Sequence, residues 1–369
     1  KFQTKPERRP STTARHRWYR RQNRCLGRAP HANHLLEARA QTHVLTLVTT
    51  MLATTIFLVS LFVLSLVWLT LRTARGVEQR IPPVGKFIEL PEARLHVLDR
   101  GVAGEAIPPV LMLHGLGGQL HHFAYHLVDV IAKHTRVVTL DRPGSGYSSR
   151  NVGAATTLRQ QADTFVALLD QLKIDKAFVV GHSLGGALAL TLAIHHPQRV
   201  AGLALITPLA FTPPEVPKAF RALDVGNGIA RQIIAWTLAT PGFMLGRDKV
   251  LPAIFGPDPV PKDFAVRAGG ILAMRPSQFV ATSEDLRALP NNLPELIARY
   301  EELSREDAPP VSILVARQDR ILNSKSQGIA LAEQLKRAHL EIVEGGHMLP
   351  VTQPEIVAKF IEESLKRSA

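Results

Sequence analysis

The 369-residue sequence predicts an α/β protein: a mostly parallel, doubly wound sheet with a helical cap insertion, preceded by an N-terminal transmembrane helix. Three observations carry this reading. From residue 86 onward short apolar runs alternate with segments of helical periodicity, the rhythm of β-α-β units. Between residues 208 and 308 that rhythm stops, and helical periodicity mixed with prolines replaces it. Ahead of both, residues 44–71 (VLTLVTTMLATTIFLVSLFVLSLVWLTL) contain no charged side chain.

The N-terminal part comes first. Residues 1–43 hold eleven Lys or Arg against Glu7 and Glu37, a balance of +9 out of the chain's +13, so 326 residues share the remaining +4. The basic character therefore belongs to a tail, and nucleic acid is not expected as a partner. The lone cysteine, Cys25, lies in that tail, so no intramolecular disulfide can form. As a helix, residues 44–71 would extend about 42 Å, enough for a hydrocarbon core of about 30 Å. The run is too long for a signal-peptide apolar region, and RTARGVEQR after it offers no small-residue cleavage site. The expectation is a single-pass anchor in a bacterial inner membrane, with the tail cytoplasmic and the body extracytoplasmic. The chain opens on Lys1 and its first methionine is Met51; without the basic stretch, Arg72, Arg75 and Arg80 argue for the opposite sidedness.

A linker at 72–85 ends in Ile81-Pro82-Pro83. KFIEL and RLHVLDR then form an opening pair of strands. Further strands are expected at 108–115, 136–144, 176–182, 200–207, 311–319 and 340–346. Several lack polar alternation, as strands covered on both faces do. LRQQADTFVALLDQL (158–172) and GALALTLAIHHP (186–197) are the clearest helices between them. The core thus spans 86–207 and 309–369, and the proline-rich 208–308 is a helical cap, placed to act as a lid.

Gly181-His182-Ser183-Leu184-Gly185 sits where a strand gives way to a helix. A serine presented on so tight a turn needs neighbours without bulk, and the helix N-terminus aims free N–H groups at developing negative charge. The bland alternative is a close-packing turn with an incidental serine. A serine hydroxyl needs a base, and the base an orienting acid. On a sheet of this kind those follow in the order acid, then histidine, each after a core strand. Asp319, after the strand of VSILVARQDR, and His347, in LEIVEGGHMLP, meet that order; otherwise Asp319 pairs only with Arg317 or Arg320 and His347 is a loop residue. His114-Gly115-Leu116-Gly117-Gly118 follows the strand at 110–113, which makes the backbone N–H groups of Leu116 and Leu184 the candidate oxyanion donors.

Together HGLGG, DRPGSGYS, GHSLGG, Asp319 and GGHMLP resemble the α/β-hydrolase fold superfamily over residues 86–366. The serine-nucleophile branch of esterases, carbon–carbon hydrolases and cofactor-free haloperoxidase-like enzymes is closest in style. The resemblance implies a Ser–His–acid triad, an acyl-enzyme, and a helical cap after the sixth strand. Ser183 departs from the aspartate of haloalkane dehalogenases and most epoxide hydrolases. Leu184 departs from the tryptophan that prolyl aminopeptidases favour there.

The supporting residues are then Gly181, His182, Gly185, His114 and Gly115, with Asp141 and Arg142 fixing the loop after the fourth strand. His122 and His126 share a helical face, but they and His121 lack a third ligand, so neither metal nor cofactor is expected. Phe211, Trp236, Phe243, Met244 and Phe255 either line an acyl pocket or pack the cap. The functional expectation is a membrane-anchored serine hydrolase of carboxylic esters, its partners an apolar ester or acyl substrate and the membrane. Carbon–carbon hydrolysis, amide cleavage, perhydrolysis and acyl transfer fit the same triad, and a non-catalytic ligand-binding module is the rival of another class.

Overall fold

A computed structural model describes residues 30–102, 104, 107–151, 154 and 156–368, with side chains from residue 34. It divides into two units, residues 1–65 and 66–369. Helix α1 runs from Pro30 to Arg80, 51 residues. The stretch His34–Arg80 is long and apolar enough to cross a membrane, with a mean hydropathy of 2.4 in its most apolar window and no burial of that window. Several of its hydroxyls are satisfied locally: Thr46, Thr50, Thr54 and Thr55 each donate to the carbonyl four residues back, at 2.7 to 2.9 Å. That local bonding makes a Thr-rich helix compatible with an apolar surround.

The helix corrects two expected boundaries. Residues 30–43, taken with the basic tail, are helical, and so is most of the expected 72–85 linker. RTARGVEQR contains no proline, and Val77 and Ile81 bury against Leu272, so helical geometry continues until Pro82-Pro83. A residue before proline is driven out of the α region, which stops the helix there. The remainder of the tail, 1–29 with Cys25, lies outside the described residues.

Among the described residues nine strands form one sheet. They are β1 (Lys86–Glu89), β2 (Ala93–Arg100), β3 (Val110–Leu113), β4 (Val137–Leu140), β5 (Ser149–Arg150), β6 (Ala177–His182), β7 (Val200–Ile206), β8 (Val311–Ala316) and β9 (His339–Val343). The order is β1-β2-β4-β3-β6-β7-β8-β9, with β5 paired to β2. β2 is antiparallel to β1, β4 and β5, and every pairing from β4 to β9 is parallel. β3, β4, β6 and β8 are buried along their whole length, which is why their sequences do not alternate.

Two apolar layers cover the sheet. One holds α2 (Leu158–Gln171) and α3 (Leu184–His195), contributing Phe165, Leu168, Leu188 and Leu192. The other holds the short helix Leu127–Ile131 and the C-terminal helix Pro354–Ser368, contributing Leu127, Ile131, Phe360 and Ile361. Thr157 caps α2 by accepting from Gln160 N at 3.2 Å. Between β7 and β8 the chain forms α4 (Gly228–Thr237), α5 (Ala239–Phe255) and α6 (Pro276–Ala298), with no strand among the described residues. The insertion follows the seventh strand, because the two-residue β5 adds one to the count.

Candidate active site

The site lies at the C-terminal ends of the parallel strands, where the loops of an open α/β sheet gather. β6 ends at His182, and Ser183 turns the chain into α3 with φ 56° and ψ −120°. This left-handed conformation is sparsely populated by non-glycine residues. Its surroundings hold it: Ser183 N donates to Ile206 O at 3.1 Å, and Ser183 O accepts from Gly186 N at 2.8 Å and Leu209 N at 3.0 Å. The flanking glycines are sterically required. A Cβ on Gly181 would lie 2.4 Å from Gly185 O, and one on Gly185 1.9 Å from Leu113 O.

Asp319 and His347 arrive from the loops after β8 and β9. His347 Nδ1 donates to Asp319 Oδ2 at 2.7 Å, and both side chains are almost fully buried. The other carboxylate oxygen of Asp319 accepts from the N–H groups of Ile321 at 2.8 Å and Leu322 at 2.9 Å. Arg317 pairs with Glu344 instead, so Asp319 is not a surface ion-pair partner. The backbone of His347 is pinned from the core: its carbonyl accepts from His182 Nε2 at 2.9 Å and Thr207 Oγ1 at 3.1 Å. Burial, and next the imidazole of His347, push the His182 pKa well below the ordinary histidine value, which keeps the ring neutral with its proton on Nε2.

The loop after β3 faces Ser183. A Cβ on Gly115 would lie 2.9 Å from Ser183 Cβ. His114 Nε2 accepts from Arg142 N at 3.0 Å, so its proton sits on Nδ1 and is donated to Gly115 O at 2.8 Å. Burial, then the neighbouring Arg142 guanidinium, hold the His114 pKa far down. Among the described residues, neither Leu116 N–H nor Leu184 N–H has a partner within the protein. Asp141 has the loop-fixing surroundings expected of it, joining His96 Nδ1, Leu120 N and Tyr147 N, each at 2.8 Å.

Two apolar cavities meet at Ser183. The larger, about 430 Å³, runs under the cap and has Ser183, His347, Phe220, Phe243, Phe255 and Phe264 in its wall. The smaller, about 100 Å³, is lined by Leu184, Leu209, Leu293 and Leu322; Leu116, Ser183 and Phe220 line both. Of the apolar cap residues singled out in the sequence, Phe243 and Phe255 line the large cavity. Phe211 packs edge-on against Tyr300, while Trp236 and Met244 are exposed. His122 lies in the cavity wall, its pKa lowered by burial to about 4. His126 meets the Tyr125 ring edge-on, and His121 Nε2 is buried without a partner. Among the described residues no three His, Cys, Asp or Glu side chains gather as metal ligands.

Two contributors escaped sequence reasoning. Asp258, in the cap, accepts from Gly346 N at 2.9 Å and Thr352 Oγ1 at 3.1 Å, tethering the loop that carries His347. Asp285, also in the cap, pairs with the fully buried Arg142 at 2.7 Å. Neither carries a motif, and each meets its partner across a long sequence separation.

A catalytic-type serine on a strand–turn–helix elbow, with acid and histidine after later strands, defines a class of enzyme fold. The chain belongs to the alpha/beta hydrolase fold family, whose model matches residues 108–354. It is 40% identical over 126 residues to a dihydrolipoyllysine-residue acetyltransferase component of the acetoin cleaving system of Cupriavidus necator, 34% of this chain. The match takes in 32% of that protein, so the chain spans about a third of that relative's length. It is 28% identical over 289 residues to the lipase LipV of Mycobacterium tuberculosis, covering 73% of this chain and 97% of that one. Among solved structures, a membrane phospholipase A superposes with a TM-score of 0.61 at 23% identity, covering 89% of this chain and 99% of the other. Residues 86–369 are 284 of 369, or 77%, so this likeness of fold reaches into α1.

Proposed function

We propose that the protein is a membrane-anchored serine hydrolase of apolar carboxylic esters. The observation that carries the reading is Ser183, held on its strained elbow at the junction of two apolar cavities, with the His347–Asp319 pair beside it. His347 Nε2 removes the Ser183 proton as Oγ attacks the ester carbonyl, and the imidazolium is stabilised through Nδ1–H by Asp319. The oxyanion is received by the N–H groups of Leu116 and Leu184. Collapse of the tetrahedral species releases the alcohol with the proton from His347 and leaves an acyl-Ser183. Water, deprotonated by His347, attacks the acyl carbon, and the acid leaves as Ser183 regains its proton. A carbonyl at Ser183 has two substituents, and the two cavities offer a large and a small apolar arm separate places. The similarity to a lipase supports an ester rather than a polar substrate.

Helix α1 would hold this unit at a bilayer, where apolar esters concentrate. The excess of cations in residues 1–43 over those following the span supports an extracytoplasmic body. Protease accessibility in intact spheroplasts tests that sidedness: digestion of the body only after lysis would reverse it.

The decisive experiment uses the full chain in detergent. A fluorophosphonate probe is expected to label wild type and not Ser183→Ala. Turnover of p-nitrophenyl butyrate is expected to fall by about 10⁴-fold or more in Ser183→Ala with the fold unchanged. Undiminished turnover in that variant would overturn the reading, and an unlabelled wild type would favour a ligand-binding module. Parallel thioester, amide, carbamate and vinylogous diketone substrates rank ester cleavage against the other chemistries of the triad.

A further inference from the structure

We infer that Arg142 positions the oxyanion donor at Leu116, and that Asp285 on cap helix α6 holds Arg142 for that task, so the seating of the cap sets the competence of the site. The inference rests on the hydrolase reading of Ser183.

The carbonyl of Gly115 and the N–H of Leu116 belong to one planar trans peptide and point in opposite directions. Holding the carbonyl therefore aims the N–H. Gly115 O receives three donors, His114 Nδ1 at 2.8 Å, Arg142 Nη2 at 3.1 Å and, from within the loop, Gly118 N at 3.2 Å. Arg142 Nε also binds His114 O at 3.0 Å, so one guanidinium grips two successive peptides of the loop facing Ser183. A cation on that carbonyl polarises the peptide and strengthens Leu116 N–H as a donor.

A fully buried guanidinium needs a counter-charge. Asp285 Oδ2 supplies it at 2.7 Å, and its side chain is as buried as that of Arg142. It is the one carboxylate paired with Arg142 among the described residues; Gln161 Oε1, at 3.0 Å, is the neutral partner of the same nitrogen. Asp285 belongs to the cap, while Arg142 and the loop belong to the core. Arg150 binds the opposite oxygen, Asp285 Oδ1, at 3.1 Å, and makes no bond to the oxyanion loop. Displacing α6 would strip Arg142 of its carboxylate and loosen the peptide that Leu116 uses.

The test is steady-state hydrolysis of p-nitrophenyl acetate by the full chain, a substrate too short to report on the cap-side cavity. Arg142→Lys and Asp285→Asn are expected to lower kcat by about 10- to 100-fold while KM changes less than about threefold. Arg150→Gln, which loses a bond to the same Asp285, is expected to keep kcat within about twofold. Wild-type kcat in Arg142→Lys, or an equal loss in Arg150→Gln and Asp285→Asn, would overturn the inference in favour of a purely structural ion-pair network. Should Asp285→Asn not fold, Arg142→Lys decides, because it retains the buried charge. Fluorophosphonate labelling separates the two levels: an unlabelled wild type refutes the hydrolase reading, whereas a labelled wild type with unaffected variants refutes only the positioning role.

Discussion

Ser183 keeps φ at 56° because everything around it has been made small or tied down. Gly185→Ala would drive a Cβ to 1.9 Å from Leu113 O, between strand and helix, and is expected to abolish folding or cost several kcal/mol in urea titration. Gly246→Ala is the contrast: it lies inside α5 with nothing within 4 Å of the added carbon, and should stabilise by about 0.5–1 kcal/mol. Wild-type stability in Gly185→Ala would show that the elbow can open. The buried histidines make a second claim at this scale. His122 titrates at about 4 because burial disfavours its charged form, and His114 and His182 are displaced in the same direction. The unfolded chain takes up those protons near the free-histidine value of about 6.5. Below that value the unfolded state binds protons the folded state refuses, so stability is full above pH about 6.5 and is lost as pH falls toward 4. For His122 the loss is at most about 3 kcal/mol, and His122→Gln should flatten the dependence of the urea midpoint on pH between 7 and 4.5. An unchanged slope in that variant would contradict the assignment.

Among the elements, α2 and α6 show why some segments were legible and others not. LRQQADTFVALLDQL reads as a helix because its apolar residues recur on one face, which buries Leu158, Ala162, Phe165, Leu168 and Leu169. Thr157 and Gln160 add a local N-terminal signal, and Thr157→Ala should cost about 1 kcal/mol, measured by thermal or urea unfolding. Helix α6 has no such clarity. LPNNLPEL mixes helical periodicity with prolines and marks no helix bounds, and Pro290 and Pro294 lie inside one helix from Pro276 to Ala298. An internal proline costs about 3 kcal/mol, and burial of Leu286, Leu293 and Leu296 on one face outweighs it. That compensation is tertiary, so no local pattern announces it. The end of α1 erred for the same reason, since burial of Val77 and Ile81 carries the helix past the last apolar window.

For the whole molecule, the proposal of a membrane anchor makes a simple prediction. The full chain should sediment with membranes and resist alkaline carbonate, whereas residues 66–369, a compact unit in themselves, should be released. Extraction of the full chain by carbonate would refute the anchor. The alternation of strands and helices, the strandless insertion and the apolar helix were legible in one pass along the sequence, whereas the two-residue β5 and the lateral order of the strands were not. So were Ser183, Asp319 and His347 as candidates, because a nucleophile elbow and the loops after late strands impose residue types at fixed places in chain order. These features are set by near neighbours and by the periodicity of buried faces. The pairing of His347 with Asp319 at 2.7 Å was an expectation of order; tertiary structure decided the distance. It alone decided that two unequal cavities meet at Ser183, that Asp258 and Asp285 reach from the cap into the core, and that Trp236 and Met244 face outward. Such contacts join residues far apart in the chain through shape and charge, and they exist only once the sheet has brought its loops together.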